Sequence, residues 1–279
     1  MLTEDVKKAY FDLLDNADKN ENDIQRFLEE HTELIPLPFL LGHHLHDMAV
    51  ISKFPLGNER ATDFAYLTKC SDYWEFVLME LEDSSKKIFT KDKEKVIFSA
   101  DFNHAVDQIT SWKAYIDENK DRILYQLQKI RTPLGENPVR FKYVLIYGRN
   151  AEKEGSEKRT KMFAQRNTDD TKIMTYDSII SLCEHLPYIS SKLILSPWQE
   201  QGYKIKKVPS DIHTPIFAYM KPEYLKIERP EIDELKNQDY QIDAWLSGKM
   251  LAYNDKYDRD SFAKKTTNPL FKAVCSIHD

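Results

Sequence analysis

The sequence predicts an α/β fold: a central mixed sheet flanked by helices, with a C-terminal appendage. Three observations carry that expectation. Short strand-like apolar runs crowd residues 48 to 82, a long stripe of helical period follows in DFNHAVDQITSWKAYIDEN, and an apolar run typical of a buried strand comes next in FKYVLIYGR. The composition agrees, because 41% apolar and 31% charged residues with only 7 glycines in 279 residues suit a folded, fairly helical protein rather than a disordered or fibrous one.

Taken in order, the first forty residues read as helices. In NDIQRFLEEHTELI, Asn22 is placed to cap and Gln25 to complete a capping box, with Ile24, Phe27 and Leu28 on one face, and Pro36 and Pro38 end the region. Three strands follow, MAVISKF (48 to 54), ATDFAYL (61 to 67) and WEFVLMELE (74 to 82). They are separated by the turn-rich PLGNER and TKCSDY, so an antiparallel meander is the economical arrangement. Beyond the lysine-rich KKIFTKDKEKVIF, residues Phe102, Ala105, Val106, Ile109, Trp112 and Ile116 form the apolar stripe of a helix that must cover the sheet. FKYVLIYGR (141 to 149) is a buried strand and AEKEGSEKRTKMFAQR a charged helix or loop. TKIMTYDSIISLCEHL is a strand leading into a helix with Asp177 or Ser178 near its cap. Residues 1–198 form the main domain on this reading and 199–279 an accessory region, whose proline-started helix is PEIDELKNQDYQIDAWL.

The candidate chemistry sits where the meander ends. A hairpin turning within TKCSDY, with its centre taken between Ser71 and Asp72, places Glu80 opposite Asp63. Strand periodicity puts Glu82 on the same face as Glu80, so three carboxylates meet at one end of a covered sheet. Carboxylates that close repel one another and are costly to desolvate. A hard divalent cation is the natural neutraliser, with the Leu81 carbonyl as a further oxygen; the alternative is a solvated strand end beside Lys86 and Lys87.

The succession of Asp63, a hairpin, Glu80-Leu81-Glu82 and a helix carrying Gln108 with Trp112 four residues later resembles the PD-(D/E)XK nuclease core. More narrowly, the chain is similar to the nuclease domain of the Shedu antiphage defence proteins. The likeness rests on NDIQRFLEEHTELI, TDF at 62 to 64, LMELEDSSKKIF at 78 to 89, HAVDQITSW at 104 to 112, VLIYGR at 144 to 149 and MTYDSII at 174 to 180. The resemblance implies a restriction-endonuclease-like core and Mg²⁺-dependent cleavage of phage or other foreign DNA, with Mn²⁺ as a possible substitute. It also implies Asp63, Glu80 and Glu82 as metal ligands, Gln108 as a helper that positions water or backbone, and self-association by analogy. One departure stands out, since the superfamily usually has lysine where this chain has Glu82. Either Glu82 is a further ligand, or Lys86 or Lys87 has taken over the lysine's work, or catalysis is lost and the fold serves as a nucleic-acid-binding or sensing module.

Other features carry less. A net charge of −6 requires any DNA contact to be local, and Lys158, Arg159, Lys161 and Arg166 with Arg149 make the best basic patch. Tyr203, Lys204, Lys206 and Lys207 make a second. His43, His44 and His46 lie close together but without partners at zinc spacing, and Cys70, Cys183 and Cys275 are too scattered for a disulfide framework. The absence of a long apolar run or an apolar leader predicts a cytoplasmic protein with no membrane partner.

Overall fold

A computed structural model describes residues 2–57, 60–92, 95–185 and 191–265; Cys275 lies outside them. The chain opens with α1 (Glu4–Asp15), capped by Thr3, and α2 (Glu21–Glu30). The cap of α2 is Asn20 rather than Asn22: its side chain accepts from the Asn22 and Asp23 amides while Asp23 returns a bond to the Asn20 amide. Gln25 points inward instead of capping.

The meander then forms as β1 (Leu45–Ser52), β4 (Phe64–Lys69) and β5 (Trp74–Leu81). A two-stranded flap, β2 (Pro55–Leu56) and β3 (Arg60–Ala61), fills the first connection. Both large pairings are antiparallel, and the second runs from Phe64↔Met79 to Lys69↔Trp74, the register expected from the hairpin midpoint. α3 (Ala100–Glu118) and α4 (Lys120–Gln126) lead to β6 (Val139–Ile146), which lies parallel to β5. α5 (Glu157–Ala164) leads to β7 (Thr171–Met174), parallel to β6, and α6 (Tyr176–His185) follows.

The sheet does not stop at residue 198. β8 (Leu193–Trp198) lies parallel to β1, and β9 (Gly202–Lys207) and β10 (Leu225–Lys226) extend it, giving eight strands in the order β10-β9-β8-β1-β4-β5-β6-β7. The remaining helices are α7 (Ile216–Tyr219), α8 (Arg229–Asn237), α9 (Ile242–Leu246) and α10 (Arg259–Lys265). The single helix expected over 230 to 246 is thus two, because Asp239 takes a left-handed φ of 66° that no α-helix continues through.

Strand alternation splits the interior into two layers. Ala65, Leu67, Phe76, Leu78 and Leu145 face α3 and α4, whose Phe102, Ala105, Ile109, Trp112 and Ile116 make the expected stripe. Phe64, Tyr66, Val77, Met79, Val144 and Ile146 face α1, α2 and α6. Phe76, Leu78, Val144 and Ile146 are wholly buried, as expected for a sheet covered on both sides. The even-numbered side of β5 is the α3 side, so Glu80 must emerge beneath that helix.

Candidate active site

Asp63 lies just ahead of β4, its amide bonded to the Met79 carbonyl at 3.1 Å. Its carboxylate is buried and doubly engaged: Oδ2 accepts the Leu81 N–H at 2.7 Å and Oδ1 the Lys53 Nζ at 2.6 Å. The Leu81 amide sits between the two glutamates, so this bond ties Asp63 to the middle of Glu80-Leu81-Glu82.

Gln108 on α3 donates its side-chain N–H to Glu80 Oε1, the contact expected of a helix lying over the strand end. Glu80 Oε2 is buried with no hydrogen-bond partner. Burial, then the neighbouring charges of Asp63 and Glu82, push the Glu80 carboxyl up to about 9. Glu82 is buried and accepts from the Lys86 ammonium, while its backbone is held by the Ile146 carbonyl and the Tyr176 hydroxyl. The structure therefore brings Asp63, Glu80, Glu82, Gln108 and Lys86 together.

Two residues join them that the sequence reading missed. Glu21, in the first turn of α2, is raised in pKa by burial and by the charges of Asp63 and Glu82. It comes from forty residues upstream, with no local pattern to announce it. Lys53 follows β1 directly, and the β1–β4 ladder, which ends at Ser52↔Phe64, puts it opposite Asp63. The midpoint of PLGNER, between Gly57 and Asn58, would have put Ser52 opposite Asp63, so the sequence alone falls one residue short of Lys53.

The donor set suits a hard cation, being all carboxylate oxygen with one buried oxygen unpartnered. Among the described residues no three His, Cys, Asp or Glu side chains group closely enough to hold an ion, so sharing one would require the carboxylates to turn toward each other. Magnesium asks for only one or two protein carboxylates, the rest being water and phosphate oxygens.

Most of the basic residues are engaged by neighbours. Lys87 reaches Glu152 Oε1 at 2.9 Å, Arg159 donates to the Glu152 carbonyl and lies over Phe89, and Lys161 pairs with Glu157. Arg166 lies over Phe98. Arg149 is clamped between Asp15 and Asp177. Asp177 accordingly does not cap α6; it receives Arg149 and the Asn150 amide. In the second patch Tyr203 is buried, its hydroxyl donating to the Gln126 carbonyl, whereas Lys204 and Lys206 pair with Glu228 and Glu29. His46 is a core residue, packed edge-on to Trp74 and bonded to the Ile130 carbonyl; burial lowers its pKa to about 3.

Among the described residues no helix is long and apolar enough to cross a membrane. Residues 18–180 match the protein-family model described as Shedu protein SduA, C-terminal. No curated protein matches the chain.

Proposed function

The chain belongs to the Shedu family, over its SduA C-terminal region, and from that premise we propose that it is a metal-dependent DNA endonuclease of antiphage defence with a PD-(D/E)XK-type core. Family membership by itself suggests the defence role; the chemistry is read from the site. The observation that carries it is the pairing of buried Asp63 with half-buried Glu80, set opposite each other by the β4–β5 register, with Gln108 on one Glu80 oxygen and the buried Oε2 unpartnered.

On this reading Asp63, Glu80 and Glu82 would hold Mg²⁺ or Mn²⁺, which when bound polarises the scissile phosphate and lowers the pKa of attacking water. The chain's own groups do the rest. Gln108 fixes one Glu80 oxygen and leaves the other for the site. The Leu81 amide orients Asp63, and the Tyr176 hydroxyl and Ile146 carbonyl anchor the backbone of Glu82. Foreign DNA would be the substrate, and self-association would supply the second active site for duplex cleavage.

The test is incubation of plasmid and linear DNA with purified protein, with and without Mg²⁺ or Mn²⁺. Metal-dependent loss of supercoiled plasmid supports the proposal, and intact DNA under every metal condition overturns it. A second reading, an inactive nucleic-acid-binding module, is favoured by one observation: Glu82, tied to Lys86, stands where the superfamily's lysine would be. Salt-sensitive DNA binding without cleavage would select it.

A further inference from the structure

We propose that Lys53 supplies the cation that position 82 lacks, both holding Asp63 and offering its ammonium to the phosphodiester under attack. The inference rests on the nuclease reading and deepens it. Lys53 Nζ is 2.6 Å from Asp63 Oδ1, and the other Asp63 oxygen is bound by the Leu81 amide. The ammonium is therefore one carboxylate away from the backbone between Glu80 and Glu82. The Asp63 side chain is 11% exposed and the Lys53 side chain 49%, so the cation has an open side toward solvent that a phosphate could approach.

The backbone that presents this lysine is unusual and firmly held. Lys53 has a φ of 56°, a left-handed conformation that costs a non-glycine residue about 1 kcal/mol or more. Its amide donates to the Asp63 carbonyl, and the Thr62 amide donates to the Phe54 carbonyl, closing the base of the loop. From α2, Gln25 reaches both Ser52 Oγ and the Asp63 carbonyl, while Ser52 Oγ donates to Glu29 at 2.6 Å. Local strain maintained by surrounding bonds at a carboxylate cluster is what a positioned functional group requires.

Lys86 is the rival. It bonds Glu82 from four residues downstream in the connection after β5, so it neutralises the very residue that replaced the lysine. Lys53 instead is bound to Asp63, which reaches the site from the other arm of the hairpin. In the hydrolysis, a bond forms from water oxygen to phosphorus as the bond from phosphorus to the leaving sugar oxygen breaks. Solvent takes the proton from water and returns one to the leaving oxygen. Lys53 transfers no proton; its charge offsets the negative charge gathering on the phosphate oxygens.

The experiment compares wild type, Lys53→Ala, Lys53→Arg and Lys86→Ala in Mg²⁺-dependent plasmid cleavage, with melting temperature measured for each. Lys53→Gln, which keeps the stem, replaces the alanine variant if that one does not fold. The expected result is a kcat lower by roughly 10²- to 10³-fold in Lys53→Ala with little change in KM. Lys53→Arg should recover at least part of the rate, and Lys86→Ala should lose less. Lys53→Ala cutting like wild type, or a loss confined to KM, overturns the inference and leaves the nuclease reading intact. A wild type that cuts no DNA overturns both.

Discussion

Replacing Glu80 with glutamine separates the cost of the buried carboxyl from its use. Glu80 keeps its proton up to about 9 in the folded chain, against an ordinary 4.5, because burial and then Asp63 and Glu82 disfavour its charge. Between those two values the unfolded chain has lost this proton and the folded chain holds it, so stability falls as pH rises and levels off above about 9. Each pH unit in that window costs ~1.4 kcal/mol, so from pH 5 to pH 7 the wild type loses on the order of 2–3 kcal/mol from this group alone. Glutamine at 80 carries no such dependence and keeps an oxygen for Gln108. For a chain of this size the loss corresponds to roughly 5–10 °C in Tm. The assay is thermal melting of wild type and Glu80→Gln across pH 5 to 9 without divalent ions. The variant's advantage should widen by that amount between pH 5 and pH 7, all other titrating groups being common to both. Parallel Tm curves would refute the argument. Millimolar Mg²⁺ should then raise the wild-type Tm near pH 8 and leave Glu80→Gln nearly unmoved, a readout of ion binding that needs no cleavage.

Asp63→Asn should abolish divalent-dependent plasmid cleavage while circular dichroism shows an intact fold, and Glu82→Gln should cut cleavage steeply with partial recovery at high Mn²⁺ if Glu82 is a ligand. Reversing charge at Arg159 and Lys161 together should weaken DNA binding and flatten its dependence on salt in an anisotropy titration, since each phosphate contact releases counterions. Gly148→Ala should lower stability by roughly 1–2 kcal/mol in denaturant melts, because a side chain is disfavoured at left-handed φ. Gly148 has φ 61°, and an added Cβ would meet the Lys86 carbonyl at 3.0 Å, so the change should also disturb the Lys86 loop.

What the sequence by itself determined is what short-range rules govern. Side-chain alternation and a turn centred between Ser71 and Asp72 set the β4–β5 register, whose continuation puts Asp63 and Glu80 opposite each other. The 3.6-residue stripe from Phe102 to Ile116 set which face of α3 is buried, leaving Gln108 over the strand end. Distant partners were decided only by the tertiary structure. Glu21 feels the charges of Asp63 and Glu82 because α2 packs beside the sheet, a proximity between distant chain segments that no periodicity encodes. Arg149 and Arg159, indistinguishable from solvated charges in the sequence, are committed to Asp15, Asp177 and Glu152 by the placement of α1, α5 and α6. The same holds for the strands beyond residue 190, which join the sheet beside β1 because parallel pairing depends on where an edge is left open, and that is known only once the rest has folded.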